Sequence, residues 1–284
     1  MIAPRSGGRI ASLVDRATGH EWMWAPPGGQ SRHRAESADF AASPMVGADE
    51  CIPTVGACTI DGVEYADHGD AWQREWRIAS ESPQQACELE VELPRHGLTF
   101  NRHAAADGSR MQLDYRVDRR PDSMLPWLWS WHPLLAMPVF PRLGVSGVTG
   151  VPRVEGCSGM NKDDSAFSLP IEDRQSGLRR LDLGGTHRSA KLFFDAEPTG
   201  EVVLSDDATG AYLKVGWHGA AIRGFGLWIN RGGWNGYEHV ALEPCTMPFE
   251  SPVDLPSGYA CPSSARWTLD IEVGRLPEMH APLQ

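Results

Sequence analysis

The chain has 284 residues and a formal net charge of −11, with 37 acidic against 26 basic residues. This charge opposes attraction to nucleic-acid phosphates and to anionic membrane surfaces, so we expect neither partner and predict a neutral or small ligand. The length is sufficient for one extensive hydrophobic core, and we predict a single domain over residues 1–284.

Alternation of apolar and polar residues with a period of two dominates the sequence, and this is the pattern of strands with one buried face. No stretch of comparable length has the helical period. The predicted strands include residues 87–93, 111–117, 191–194, 201–204, 212–215 and 267–273.

Turn residues recur at short intervals, with 30 glycines and 22 prolines spread through the chain. Asp61-Gly62, Asp107-Gly108 and the segment 207–210 each lie between strand-like runs, where such residues favour hairpin turns. Strands joined by short turns pair with their neighbours. The sequence therefore predicts an all-β fold, a large antiparallel β-sandwich rather than a βαβ architecture.

Sequence signals for several common classes of site are missing. The phosphate-binding GxxxxGK[ST] loop, the HExxH zinc motif, the GxSxG elbow and a GxGxxG turn are all absent. The six cysteines and ten histidines lack metal-ligand spacing, so we assign no residue as a metal ligand, and the sequence leaves a structural metal ion open. The scattered cysteines favour a reduced, cytoplasmic protein. The N-terminal residues include no apolar run of signal-peptide length, and the most apolar stretch, 124–140, is interrupted by prolines, so we predict no membrane span.

Two segments place histidine among aromatic residues. Residues 66–76 form a polar loop that contains His68, Arg74 and two tryptophans. Residues 128–135 form an apolar strand with His132 inside it. A buried imidazole is costly unless its nitrogens find partners, so His132 is either a satisfied core histidine or a general acid with a tuned pKa.

A third segment places a carboxylate near indole rings. Glu243 lies in the run Ala241-Leu242-Glu243-Pro244-Cys245, which follows an aromatic, glycine-rich stretch that contains Trp228 and Trp234. A pyranose has apolar C–H faces that stack on indole and hydroxyls that need polar partners, so this combination suits a sugar. Considered alone, Glu243 could equally end a strand at Pro244 and face water.

Taken in order, these segments resemble the aldose 1-epimerase (galactose mutarotase-like) superfamily over nearly the whole chain. His68-Gly69 with Trp76 is similar to its HG…W segment, Trp131-His132-Pro133 to its HP segment, and 241–244 with 249–251 to its ALEP…YDS segment. The resemblance implies the large antiparallel β-supersandwich of that family and a reaction that needs no cofactor.

The resemblance also implies roles for individual residues. Anomer exchange needs a base for the C1 hydroxyl and an acid for the ring oxygen, and the matching positions are Glu243 as base and His132 as acid. His68 would hold ring or hydroxyl oxygens. Independently of the resemblance, the indole of Trp228 is expected to contact the sugar, and exclusion of water by Trp228 or Trp234 would raise the pKa of Glu243.

Two departures from the family pattern bear on the substrate. Hexose-6-phosphate epimerases carry an arginine four positions after the HG histidine, where this chain has Trp72, although Arg74 could replace it. The early loop carries Asp49 and Glu50, which suit neutral sugar hydroxyls better than phosphate, and we predict that both contact substrate. A free aldose is therefore expected.

Two other cations, Lys191 and Arg102, fit solvated strand edges better than substrate contacts. The sequence favours an aldose 1-epimerase that acts on a small sugar. The alternatives are a hexose-6-phosphate 1-epimerase and a noncatalytic carbohydrate-binding protein of the same fold.

Overall fold

The structure, a computed structural model, describes residues 1–26, 46–82, 86–158, 179–181 and 189–276, together with Phe40 and Ser43. This part of the chain consists of β-strands and short 3₁₀ helices. The strands are β1 (Ile2–Ala3), β2 (Arg9–Ile10), β3 (Val14–Asp15), β4 (His20–Glu21), β5 (Ala48–Cys51), β6 (Cys58–Ile60), β7 (Val63–Tyr65), β8 (Arg77–Ser82), β9 (Ala86–Leu93), β10 (Leu98–Asp107), β11 (Arg110–Arg119), β12 (Ser130–Ala136), β13 (Pro141–Ser158), β14 (Arg179–Leu181), β15 (Ser189–Asp206), β16 (Ala211–His218), β17 (Gly224–Arg231), β18 (Glu238–Cys245) and β19 (Ser264–Arg275). The 3₁₀ helices are η1 (Pro4–Ser6), η2 (Ala71–Gln73) and η3 (Pro252–Asp254).

In the described part of the chain, fifteen strands form one antiparallel sheet. Its order is β1-β2-β5-β12-β18-β17-β15-β16-β19-β11-β10-β9-β8, with β13 beside β15 and β14 beside β13. The pairs β3–β4 and β6–β7 form separate hairpins. Four neighbouring strands near the middle of the order, β12, β18, β17 and β15, carry most of the candidate site.

The sheet folds back on itself, because residues that are distant in the strand order are in contact. Arg102 on β10 and Tyr115 on β11 donate hydrogen bonds of 2.7 and 3.0 Å to Glu50 on β5. Trp129, just before β12, packs on Trp267 of β19 with ring centroids 4.6 Å apart. The fold is therefore the large antiparallel β-sandwich predicted from the sequence.

The predicted strands are confirmed, with one change in the second half of the chain. Residues 191–194 and 201–204 were predicted as two strands, but both belong to the single strand β15. The first half of β15 pairs with β17 and the second half with β16. Between these halves the strand is largely exposed, so polar residues interrupt the apolar pattern although the backbone continues.

The predicted turns are also confirmed. Asp61 and Gly62 join β6 to β7 with φ angles of 51° and 76°, the left-handed conformation that two-residue hairpins require. Gly108 lies in the turn from β10 to β11, and residues 207–210 connect β15 to β16. In the latter turn, the carboxylate of Asp206 accepts hydrogen bonds from the Ala208 amide and the Thr209 hydroxyl, at 3.1 Å each.

The tryptophans divide between the core and one cavity. Eight of the eleven are buried, as we expect for large apolar side chains. The other three, Trp24, Trp228 and Trp234, are half-buried and pack together around a small cluster of buried residues, Phe40, Trp72, Leu134 and Ala241. This cluster lies beside the candidate site.

Candidate active site

Glu243 lies inside β18, between β12 and β17. Its side chain is 0% exposed. Gly226 of β17 is its cross-strand partner, and a Cβ there would lie 3.1 Å from Glu243 Oε2, so the glycine leaves room for the carboxylate. The interpretation of Glu243 as a strand end that faces water is wrong, because β18 continues through Pro244 to Cys245 in the interior.

His132 faces Glu243 from the neighbouring strand. The pairings Ser130 with Cys245 and Leu134 with Ala241 place the two residues at the same level of the sheet. Nε2 of His132 lies 3.6 Å from Oε1 of Glu243. Among the described residues, neither Nδ1 of His132 nor Oε1 of Glu243 has a hydrogen-bond partner. His132 is therefore not the satisfied core histidine that the sequence left open.

Lys191 is a third titratable group beside Glu243 and His132. It lies on β15, and its Nζ donates a hydrogen bond to Oε2 of Glu243. Lys191 as a whole is 8% exposed. The prediction that Lys191 occupies a solvated strand edge is wrong, because β15 has neighbours on both sides. The signal in the sequence was a lysine inside an otherwise apolar run, Ala190 to Phe194.

Burial moves the pKa values of the two proposed catalytic groups towards each other. It raises the pKa of Glu243 above 4.5, and the ammonium of Lys191 opposes part of this shift. Burial lowers the pKa of His132 well below 6.5, and the charges of His68 and Lys191 lower it further. Burial also disfavours the charged form of Lys191, but Glu243 and Glu250 outweigh it and raise the pKa of Lys191 above 10.5.

The loop before η2 brings His68 to the opposite side of the cavity. His68 and Gly69 both have left-handed backbones, with φ angles of 60° and 72°, and a Cβ on Gly69 would lie 2.2 Å from the Ile52 carbonyl oxygen. The His68 ring meets the His132 ring edge-on with centroids 4.9 Å apart, and it stacks on Phe40. His68 and His132 therefore converge on one space.

An aromatic wall borders this space. The indole N–H of Trp228 donates a 3.0 Å hydrogen bond to Nε2 of His239, which fixes the plane of the indole ring. Burial lowers the pKa of His239 to about 4, so its nitrogen stays available as an acceptor. Trp234 is held by Asn230, whose side chain hydrogen-bonds both the amide and the carbonyl of Trp234 at 3.0 Å.

These groups enclose a cavity of about 240 Å³. It is lined by Phe40, Val55, Asp67, His68, His132, Lys191, Trp228, Trp234 and Glu250. Glu243 lies immediately behind His132 and Lys191 at the cavity floor. A lining that combines hydrophobic rings with a few titratable groups is typical of a small-molecule site.

Larger cavities of about 690 and 440 Å³ also lie among the described residues. In the larger one, the exposed His218 pairs with Asp270 at 3.0 Å and the half-buried Lys214 pairs with Glu272 at 3.1 Å, and none of its charged groups is fully buried. The other contains the exposed Arg223 and Arg266. We choose the smaller cavity because it combines buried titratable groups with unsatisfied polar atoms, the usual marks of a functional site.

Three predicted substrate contacts, Asp49, Glu50 and Arg74, are not brought to this cavity. Glu50 is fully buried and binds Arg102, Tyr115 and Trp129, while Asp49 is buried and forms a double hydrogen bond with Arg9 at 2.8 and 3.1 Å. Both carboxylates are therefore structural, and the prediction that they contact substrate is corrected. The expectation that Arg102 is solvated is also wrong, since its side chain is 0% exposed.

Arg74 lies at the C-terminal end of η2 and is not among the described residues that line the cavity. The position four residues after His68 belongs to Trp72, which is fully buried and packs edge-on against Phe40 at 5.0 Å. The cavity as the described residues line it therefore has no guanidinium, either from position 72 or from Arg74.

Several residues of the site were not selected from the sequence as site residues. Asp67 and Glu250 line the cavity, and His239 fixes Trp228. The carbonyl of Glu250 accepts hydrogen bonds from the amides of Val55 and Gly56, which joins two segments that are far apart in sequence. Only the weak likeness of residues 249–251 to a family segment pointed to Glu250.

The described residues show neither a metal cluster nor a membrane-spanning helix. They contain no group of three or more His, Cys, Asp or Glu side chains arranged to hold a metal ion. Their helices are too short and too polar to span a bilayer.

Solved structures resemble this chain over almost its entire length. A candidate aldose 1-epimerase from Escherichia coli K12 is 17% identical, with a TM-score of 0.64, and the match covers 97% of this chain and 95% of that chain. A galactose mutarotase related enzyme from Lactobacillus acidophilus is 14% identical, with a TM-score of 0.64 and coverage of 98% and 94%. A galactose mutarotase-like protein from Clostridium acetobutylicum is 12% identical, with a TM-score of 0.63 and coverage of 97% and 92%.

No family model matches the sequence, and no curated protein matches it. The structural matches show that the chain has the galactose mutarotase-like fold.

Proposed function

We propose that this protein, which has the galactose mutarotase-like fold, is an aldose 1-epimerase that interconverts the α and β anomers of a free aldose. One observation carries the proposal: His132 lines a sugar-sized cavity, Glu243 faces it from immediately behind the lining, and each has a buried polar atom without a partner among the described residues. Binding of sugar alone does not need such an acid and base pair.

The pair supplies the two proton transfers of anomer exchange. Glu243 takes the proton of the C1 hydroxyl, the electron pair left on O1 forms the C1 carbonyl, and the bond from C1 to the ring oxygen breaks. The imidazolium form of His132 gives its proton to the ring oxygen and becomes neutral. Rotation about the C1–C2 bond and the reverse transfers give the other anomer. His68, which meets His132 edge-on, is placed to hold a neighbouring oxygen.

The charges around the cavity favour a neutral sugar. Asp67, Glu250 and the nearby Glu243 contribute three carboxylates, and the one lysine among these groups, Lys191, is already paired with Glu243. Carboxylates accept hydrogen bonds from sugar hydroxyls but repel a phosphate group. With Trp72 at the position of the family's phosphate-binding arginine, these groups favour a free aldose over a hexose 6-phosphate.

Anomer exchange followed by NMR tests the proposal directly. The enzyme is added to a panel of free aldoses and to their 6-phosphates, with Glu243→Gln at equal concentration as the control. We expect exchange faster than buffer for at least one free aldose, and loss of this acceleration in the variant. Faster exchange of the 6-phosphates would indicate a hexose-6-phosphate epimerase, and binding without acceleration would indicate a noncatalytic carbohydrate-binding protein.

A further inference from the structure

The two carboxylate oxygens of Glu243 have different surroundings. Oε2 accepts a hydrogen bond from Lys191 Nζ. Oε1 lies 3.6 Å from Nε2 of His132 and has no hydrogen-bond partner among the described residues. A carboxylate that is held through one oxygen and unsatisfied at the other can rotate little, and its free oxygen has a defined direction.

Lys191 is itself held firmly. Its backbone lies in the interior of the sheet, where Lys191 pairs with Trp228 on β17 and with Gly156 on β13. Its ammonium lies 5.1 Å from the centre of the Phe193 ring, and its side chain is 10% exposed. The ammonium is thus a fixed point charge rather than a mobile surface group.

We propose that Lys191 is a positioning residue that holds Oε2 of Glu243, so that Oε1 is the oxygen that takes the proton from the C1 hydroxyl. This inference rests on the proposed epimerase function and adds a residue to its machinery. Lys191 has two effects on Glu243: it orients the carboxylate, and its positive charge favours the ionised form that can act as a base.

The positive charge also acts on His132, where it disfavours the imidazolium. Other titratable groups around the pair are His68, Glu250, Cys51 and Cys245, with His239 beyond His132. Burial raises the pKa of both thiols, so they stay neutral over the working range. Removal of the lysine charge should therefore move both limbs of the pH–rate profile to higher pH, because the proton affinity of both groups rises.

The test compares two lysine variants that remove the same charge. Lys191→Met is measured beside Lys214→Met, whose lysine is also paired with a glutamate but lies outside this cavity. We expect Lys191→Met to lose about tenfold to a hundredfold in exchange rate, each enzyme being compared at its own pH optimum, and to shift both limbs upward. Lys214→Met should keep the rate and profile of the wild type, and Lys191→Arg should return the profile towards that of the wild type.

A rate loss in Lys191→Met with an unmoved profile would overturn the proposal, since a merely structural lysine would give that result. If Lys191→Met does not fold, Lys191→Gln is measured instead. It removes the charge, so both limbs should still shift upward, but its amide can donate a hydrogen bond to Oε2, so the rate loss should be smaller. An unchanged rate and profile in either variant would also overturn the proposal.

A second measurement separates this inference from the proposed function. The Glu243 carboxyl is followed by carbon NMR in protein labelled at the glutamate side-chain carboxyl, and its signal is assigned by its loss in Glu243→Gln. We expect the Glu243 titration to move to higher pH in Lys191→Met, with or without turnover. If the wild type accelerates no sugar while this shift occurs, the epimerase function fails but the link between Lys191 and Glu243 stands.

Discussion

Glu50 and Glu243 form an instructive pair, because both are fully buried glutamates bound to a buried cation. Glu50 lies in the sandwich core, where Arg102, Tyr115 and Trp129 donate hydrogen bonds to its two oxygens. Glu243 lies behind the cavity, where Lys191 occupies one oxygen and the other has no partner among the described residues. Burial raises the pKa of both carboxyls.

The difference between the two sites lies in hydrogen bonding rather than in burial or pKa. A buried carboxylate that accepts hydrogen bonds at both oxygens is held in one arrangement and has little acceptor capacity left for chemistry. A buried carboxylate with one open oxygen costs stability, and such a cost is typical of a functional site. Glu50 is therefore interpreted as structural and Glu243 as catalytic.

The largest expected effect is the loss of exchange in Glu243→Gln. The amide keeps the shape of the side chain but cannot accept the C1 proton, so we expect the exchange rate to fall by about 10²–10⁴. Sugar binding should survive, because the indole and hydroxyl contacts remain. NMR exchange and calorimetric titration check the two halves of this prediction, and an unchanged rate would remove Glu243 from the mechanism.

The same change from glutamate to glutamine at Glu50, in the core, should lower the stability of the protein and leave catalysis intact. Glu50→Gln leaves the buried guanidinium of Arg102 without a counter-charge, and we expect the free energy of unfolding to fall by about 3–5 kcal/mol. The exchange rate per folded molecule should be unchanged. Urea unfolding measures the first quantity, and a slower rate at full stability would contradict the structural role of Glu50.

The pH dependence of the exchange rate tests whether Glu243 acts as the base and His132 as the acid. The base must be ionised, so activity rises through its pKa, which burial raises above 4.5. The acid must be protonated, so activity falls through the pKa of His132, which burial lowers below 6.5. We expect a bell-shaped profile whose two limbs belong to the coupled pair rather than to either residue alone.

His132→Asn should remove the alkaline limb of this bell and slow the exchange. A wild-type profile that stays flat as the pH rises through the imidazole range would contradict the role of His132 as acid.

The smallest expected effect concerns the aromatic wall. Trp228→Leu removes a stacking surface for the sugar ring, and we expect affinity to weaken by about 1 kcal/mol with little change in kcat. The separate changes in KM and kcat measure this. A large fall in kcat with unchanged KM would mean that Trp228 acts on Glu243 rather than on the sugar.

The sequence determined the strands and hairpins of this protein because their signals are local. Alternation along 87–93 or 111–117 depends only on which face of a strand is buried, and Asp61-Gly62 specifies a turn by its own backbone preferences. His68, His132 and Glu243 could also be named, since their neighbours resemble family segments, and Trp228 could be named from the aromatic, glycine-rich run that contains it.

The tertiary structure alone decided which charged residues serve the core and which serve the cavity. Asp49 and Glu50 are polar residues of an early strand, and no local signal states that Arg9 and Arg102 bind them from other parts of the sheet. Lys191 meets Glu243 across 52 residues of sequence because β15, β17 and β18 lie side by side. Charge pairing depends on distances in space, and the antiparallel sheet sets these distances only when the whole sandwich has closed.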